Sequence, residues 1–430
     1  MPFEMPPAPR RRVAVIGGGI SGMAAAHFLA DQAEVTLFEA AQRLGGHART
    51  VVAGKRGDQP VDTGFIVFNN ENYPHLTRLF DDLRVPTKPS NMSFGASFGG
   101  GRMEYALASL DTLFAQRWRG MDPRFLRMLR DILHFNANAE RALKYPGMTI
   151  REFLRELGTG AWFRDRYLLP FSGAIWSTPA ADILDFPAHA LITFFRNHKL
   201  MNTSGHHQWY TVDGGSVEYV RRLQAGLEAR GVQLRLGAGV AGVRRSEGPQ
   251  VRAYGGDWES FDEVVFALHS DDALRCLADP TPEERAALEA VGYQPNEAIL
   301  HCDPSAMPKR RKCWSSWVYV ESQLPMTDRV SLTYWMNSLQ GIPEEDPLFV
   351  TLNPAAPLRE ELIYDSVTFR HPVFDLEALA AQRAIRAMNG TRDTWFCGAW
   401  MRNGFHEDGI ASAVEVVEAM ASRNRQQAAA

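Results

Sequence analysis

The sequence predicts an α/β fold, a Rossmann-like nucleotide-binding domain interrupted by an inserted α+β domain. Three observations predict it. Residues 13–29 run as an apolar β-stretch, a glycine-rich turn and a small-residue helix. Further nucleotide-binding signals recur at roughly 205–270 and at the end of the chain. The stretches between them read differently, with helical periodicity in 73–205 and strand-like alternation in 272–384.

Each element of the first signal has its own reason. Glycines stand at 17, 19 and 22, the G-x-G-x-x-G spacing. Gly17 permits a tight turn, Gly19 lets backbone approach a pyrophosphate, and Gly22 lets helix and strand pack closely. The helix opening at Ile20 and Ser21 offers free N–H groups and a positive dipole end to phosphates. A second β-run, 34–38, ends at Glu39, 22 positions after Gly17. That carboxylate is placed to accept from ribose hydroxyls, with Ala40 beside it, and it repels a 2′-phosphate. NADP is thereby disfavoured. The segment Arg43-Leu-Gly-Gly-His-Ala-Arg-Thr50 then brings a second glycine turn, Gly45-Gly46, among Arg43, His47, Arg49 and Thr50. A dinucleotide whose reactive ring extends past the ribose needs such a second approach, so the pattern selects FAD over NAD.

Bulk numbers bound the rest. A chain of 430 residues accommodates two to three domains. With 45% hydrophobic and 22% charged residues it is an ordinary globular protein. A net charge of −4 gives no general attraction to nucleic acid. The cysteines, 276, 302, 313 and 397, form no C-x-x-C pair, which argues against zinc and fits a reduced cytoplasmic setting. No apolar run approaches the roughly 20 residues that span a bilayer, so any membrane contact is peripheral, on the inner face. Arg10-Arg-Arg12 mimics an export signal but reads as a charged tail before the first strand.

The expected FAD domain is discontinuous: 12–72, 206–271 and 385–425. The expected substrate domain comprises 73–205 and 272–384, with flexible tails at 1–11 and 426–430. In the first insert, residues 123–135 place apolar side chains at 125, 126, 129, 132 and 133 with arginines opposite. This predicts a core-facing amphipathic helix, although a basic amphipathic helix also suits an anionic membrane surface. In the second insert, 299–302 and 330–336 alternate, which predicts an antiparallel sheet with one wet face. Trp314, Trp317, Tyr319, Tyr334 and Trp335 there belong to the core or line a cavity facing the flavin.

Hydride transfer to a flavin builds negative charge beside its N1, which a helix N-terminus stabilises. Residues 409–420 read as that helix, with Gly409, Ile410 and Ser412 at its entrance and Gly398-Ala399 in the preceding turn. Asp408 caps it or meets the cofactor. Glu407 is a catalytic candidate, binds ribityl hydroxyls or pairs with Arg402. His406, with an ordinary pKa of about 6.5, is a candidate proton relay or a loop anchor. His371 is a second candidate base. His206 and His207 point opposite ways on an extended segment, and no metal is predicted.

Four blocks make the chain resemble the flavin-dependent amine oxidase superfamily, which includes phytoene desaturases and protoporphyrinogen oxidases. They are Gly17–Gly22 with Glu39, Arg43–Thr50, Asp213-Gly-Gly215 before a helical run, and Trp395–Trp400 with Gly409–Ala413. The resemblance implies that backbone near Val240 lies against the adenine, and, since members with covalently held flavin carry a cysteine upstream of the last block and this chain has none around 369–375, that the FAD is held without a covalent bond. Asp62-Thr-Gly-Phe-Ile-Val-Phe-Asn69, Ile175-Trp-Ser-Thr-Pro179, Phe195-Arg-Asn-His-Lys-Leu200 and Gly404-Phe-His-Glu-Asp-Gly409 are similar to a bacterial lipid-modifying subfamily. That subfamily includes the desaturase of furan fatty acid synthesis and the flavin domain fused to plant cyclopropane fatty-acid synthases. It implies a fatty-acyl or phospholipid substrate, desaturation beside an existing double bond, and a lipid methyltransferase as partner. An amine oxidase releasing hydrogen peroxide, a redox-neutral double-bond isomerase and a non-catalytic FAD-stabilised scaffold for the methyltransferase remain open.

Overall fold

The apolar run at the start becomes a central strand, Arg12–Ile16, paired in parallel with Glu34–Phe38 on one side and Glu263–Phe266 on the other. Gln233–Arg235 and Thr394–Phe396 complete a five-stranded parallel sheet. The computed structural model describes residues 10–176, 180–202, 204–321 and 330–429. Positions 177–179 of the 175–179 motif, and residues 1–9 and 430 of the expected tails, lie outside the described residues.

Val13 to Ile16 are all buried because helices cover both faces. Val13 and Val15 pack with Met23, Ile410 and Val416 from helices Ile20–Leu29 and His406–Ala429. Ala14 and Ile16 face Leu288, Ala378 and Ile385 from helices Pro282–Glu289 and Leu376–Met388. Arg11, expected in a flexible tail, is ion-paired with the buried Glu263. The last helix begins three residues before Gly409 and continues past 426.

The second layer is a seven-stranded sheet. Its strands from 292 to 373 pair antiparallel, as the alternation predicts. One ladder differs: Phe94–Phe98, from the first insert, pairs in parallel with Trp317–Val320. Alternation within a strand cannot reveal a neighbour more than two hundred residues away. Met336, expected in a strand, opens the short helix Met336–Gln340.

Helix Pro123–Asn138 forms as expected, but its buried face is Phe125, Met128, Asp131 and Phe135. Leu126 and Leu133, expected in the core, are 43% and 59% exposed. Asp131 turns inward because its carboxylate accepts from Gly160 N at 2.9 Å, and that bond fixes the helix rotation. Among the described residues, no helix is long and apolar enough to cross a membrane.

Candidate cofactor and active site

The first glycine turn divides its labour as the spacing predicts. Gly17 has φ +107°, and a Cβ there would lie 2.5 Å from Ala267 O. A Cβ at Gly22 would lie 1.8 Å from Gly17 O, so helix and turn touch backbone to backbone. Gly19 differs: a Cβ there meets nothing within 4 Å, and the helix it opens has no side-chain cap. Bare backbone facing open space above an uncapped N-terminus fits a pyrophosphate. Glu39 accepts from Gly18 N at 2.6 Å and Ala41 N at 2.7 Å, which fixes its carboxylate beside the turn. Ala40 lies alongside Gly239, and Ala238 N donates to Glu39 O at 2.8 Å. The strand Val240–Arg244 therefore starts next to Glu39, with Val240 partly exposed.

The second glycine turn closes directly on the first. Gly45 N donates to Gly18 O at 2.8 Å, and a Cβ at Gly46 would lie 3.2 Å from Gly19 Cα. Arg43 holds this turn by donating to the carbonyls of Leu44, Gly46 and Ala48 at 3.0 to 3.1 Å. Arg49 points elsewhere, in a two-pronged pair with Asp365 at 2.6 and 3.0 Å. Both arginines thus have protein partners: Arg43 within the second glycine turn and Arg49 across to Asp365. Thr50 donates to Asp62 Oδ1 at 2.6 Å and accepts from Val217 N at 3.0 Å.

The third block arrives through the same acid. Asp62, 1% exposed, accepts from Ser216 N, Ser216 Oγ and Gln340 Nε2. It thereby holds the entrance of helix Val217–Ala229, and Gly215, φ +86°, packs against Thr50. Asp62 lay within a quoted motif without a role. Its signal was a carboxylate just ahead of the apolar run 65–68.

The C-terminal block meets the N-terminal one. A Cβ at Gly409 would lie 2.8 Å from Ser21 Oγ and 2.9 Å from Ile20 Cγ2. Ser412 Oγ accepts from Gly398 N and donates to Gly409 O, both at 2.9 Å, tying the turn at Gly398-Ala399 to the helix. Ile410 is fully buried beneath. Asp408 sits in the first helical turn and accepts from Phe405 N at 2.9 Å, half of a capping box. Glu407 caps a different helix, Pro74–Asp82, accepting from His75 N at 3.0 Å and Leu76 N at 2.9 Å. Its other expected partner, Arg402, pairs with Glu415. Glu407 is thus a structural cap, which corrects its candidacy as a catalytic or ribityl-binding group. Glu407→Gln is expected to cost about 1–2 kcal/mol. An unchanged denaturation midpoint would show the cap to be redundant.

Four imidazoles gather at the junction of the layers. His47 stacks on Phe369 with ring centroids 4.7 Å apart, and lies 5.8 Å from His371 and 5.9 Å from His269. His47 Nε2 is buried without a partner, an orphaned polar atom at the second glycine turn. His371 shares a hydrogen bond with Asn296 at 2.9 Å. His406 shares one with Tyr219 OH at 2.9 Å and stacks on Phe65 at 3.9 Å. Burial is the main cause that lowers His371 and His406 to about 3, with the neighbouring His47 adding to it. Burial therefore keeps both rings neutral near pH 7, able to accept a proton. His406→Gln is expected to retain FAD and to leave the pH profile of flavin reduction unchanged between about pH 6 and 8. Loss of an ionisation near pH 6.5 in the variant would show His406 to titrate near neutrality. Phe65 and Tyr219 were not foreseen; neither lies in a glycine block.

Cys397 is buried and its thiol is pushed up to about 12. His207 has an unforeseen acidic neighbour, Glu71, at 3.4 Å. His269, Asp271 and Asp272 bring ligand atoms within 4.8 Å of one another. Both carboxylates already face the guanidiniums of Arg275 and Arg370.

The family model of flavin-containing amine oxidoreductases matches residues 20–358. The chain belongs to the flavin-containing amine oxidoreductase family. FAD is the cofactor of this family member, and the glycine-bared surfaces above are those that would hold it. A hydroxyneurosporene desaturase of Cereibacter sphaeroides is 28% identical over 320 residues, 64% of this chain and 60% of that one. Another, from Rubrivivax gelatinosus, is 24% identical over 335 residues, 65% of this chain and 59% of that one. The chain thus matches about three fifths of the length of these desaturases. A fatty acid isomerase from P. acnes superposes with TM-score 0.68 at 16% identity, covering 95% of this chain and 98% of that one. A variant of putrescine oxidase superposes with TM-score 0.69 at 17% identity, covering 96% and 99%. At such identities these likenesses establish the fold of this family member, α/β and amine oxidase-like.

Proposed function

We propose that this oxidoreductase acts on an apolar chain of the fatty-acyl type and leaves a new C=C bond. The observation carrying this reading is the wall where the last helix meets the first insert. Phe405 stacks on Phe194 with centroids 5.0 Å apart, and Phe194 stacks on His198 at 3.9 Å and meets Trp176 at 4.8 Å. Phe405 directly precedes His406, so the wall adjoins the Phe65–His406 stack. Burial lowers His198 to about 4, so this ring too is neutral. Hydrocarbon and neutral rings favour an uncharged chain, whereas a protonated amine there loses hydration without gaining a counter-charge. The desaturase relatives agree with this chemistry.

Forming the bond removes a hydride from one carbon, to be taken by FAD, and a proton from its neighbour, to be taken by the neutral imidazole of His406. Bound non-covalently, FAD supplies the hydride acceptor. The chain's own part is placement and exclusion of water: Phe65, Phe194 and Phe405 fix the substrate's approach, and the uncapped start of helix Ile20–Leu29 receives the pyrophosphate. Anaerobic mixing tests the reading. Bleaching of the yellow flavin by a long-chain acyl phospholipid, and not by aliphatic amines, is expected. Bleaching by an amine overturns it, and so does product formed without net bleaching, the mark of an isomerase.

A further inference from the structure

Among the described residues, eleven large hydrophobic side chains are exposed, and seven of them lie between 107 and 145. They follow one another along a short helix, Leu110–Leu113, a tight turn, Arg117–Met121, and the helix Pro123–Asn138. Leu110 is 75% exposed, Trp118 52% and Met121 81%. Leu126 and Leu133 continue the ridge seven positions apart, two helical turns, on the side of the helix away from Phe125 and Phe135. A random scatter of exposed apolar residues needs no explanation, but a concentration of this kind marks a contact surface.

Charge identifies what is contacted. The chain carries −4 overall, yet residues 107–145 hold seven basic and four acidic side chains. Two of those acids are sunk: the Asp122 and Asp131 side chains are only 5% and 3% exposed. Their arginine partners stand outward, with Arg124, Arg127 and Arg130 side chains 69%, 59% and 70% exposed. The surface therefore presents guanidinium groups around leucine, methionine and tryptophan. Arg127 also borders Gly160, at the edge of a cavity of about 340 Å³ lined by Arg151, Arg155 and Arg164. Arg155 has no ion-pair partner among the described residues.

We infer that residues 107–145 form a docking surface for an anionic lipid bilayer, with Trp118, Met121, Leu126 and Leu133 entering the acyl boundary. The exposed arginines engage headgroup phosphates, and Arg155, in the cavity where Arg151 and Arg164 already pair with Asp185 and Asp165, takes one headgroup. Apolar insertion plus electrostatic attraction is the combination that holds a peripheral protein on a membrane. The surface is independent of the substrate reading, because attachment to vesicles is measured without turnover.

The test is flotation of the full FAD-loaded chain with vesicles of phosphatidylcholine, or of equimolar phosphatidylcholine and phosphatidylglycerol. Binding to the anionic vesicles is expected, weaker on the neutral ones and falling as salt rises. The triple variant Trp118→Ser, Met121→Ser, Leu133→Ser should bind at least about tenfold more weakly while keeping its yellow colour. Each reversal among Arg124→Glu, Arg127→Glu and Arg130→Glu should cost about fivefold or more. No flotation of the wild-type chain overturns the inference, as does salt-independent binding or colour-retaining variants that bind like the parent. A concentration-dependent dimer abolished by the triple variant, without vesicle binding, overturns it in favour of a second copy of the chain.

Discussion

Gly19→Val yields a folded protein that does not hold its flavin. Nothing in the chain lies within 4 Å of a Cβ at Gly19, so the added side chain disturbs no packing. It projects instead over the uncapped helix N-terminus, where a pyrophosphate must touch bare backbone. Crowding of this kind typically costs about 1–3 kcal/mol, or roughly fivefold to more than a hundredfold in cofactor affinity. The neighbouring glycine supplies the contrast. Gly22→Val places its Cβ 1.8 Å from Gly17 O, a collision within the fold itself, and the expected result is loss of folded protein. Flavin absorbance per folded chain, with far-ultraviolet circular dichroism alongside, separates the two outcomes. A Gly19→Val protein with full flavin content would remove the pyrophosphate from this turn.

Acid unfolds this protein while most of its carboxylates are still ionised. Six histidines are held neutral by burial: His47, His198 and His301 at about 4, and His269, His371 and His406 at about 3. Their ordinary value is 6.5, so the unfolded chain takes up protons that the folded chain refuses. Each contributes stability that is present above 6.5 and lost as pH falls toward the folded value. Asp62 and Asp408 act in the opposite direction. Burial raises both to about 6 from 3.8, so their contribution is present below 3.8 and lost as pH rises through 6. Between pH 6 and 4 six groups oppose two, a net uptake of about four protons on unfolding. At about 1.4 kcal/mol per proton per pH unit, stability falls by roughly 5 kcal/mol per unit. A typical total of about 5–15 kcal/mol is exhausted within one to three units. Denaturant midpoints measured at pH 7, 6 and 5 should drop steeply, and equal midpoints at pH 7 and 5 would refute the neutral imidazoles.

These effects show which parts of the molecule could be read from sequence. The glycine turns were legible because their roles are local: Gly17, Gly19 and Gly22 act within one strand, turn and helix. The arginines were not, because a charge near a glycine turn does not say where it points. Arg49 finds Asp365 across 316 positions, and Glu407 finds a helix end 331 positions back. Leu126 and Leu133 misled for another reason. The apolar arc of their helix is wider than its contact, and a buried aspartate set the rotation. The imidazole cluster was invisible because its members come from four separate segments, 47, 269, 371 and 406, that only the assembled layers bring together.

The clasp between Gly409 and the pair Ile20–Ser21 has a consequence for biosynthesis. The first glycine turn leaves the ribosome hundreds of residues ahead of its counterpart, and it waits half-built until the final helix has emerged. Coenzyme loading is therefore a late event, and a chain cut just before residue 398 would be unable to mature, however well its opening segment had formed.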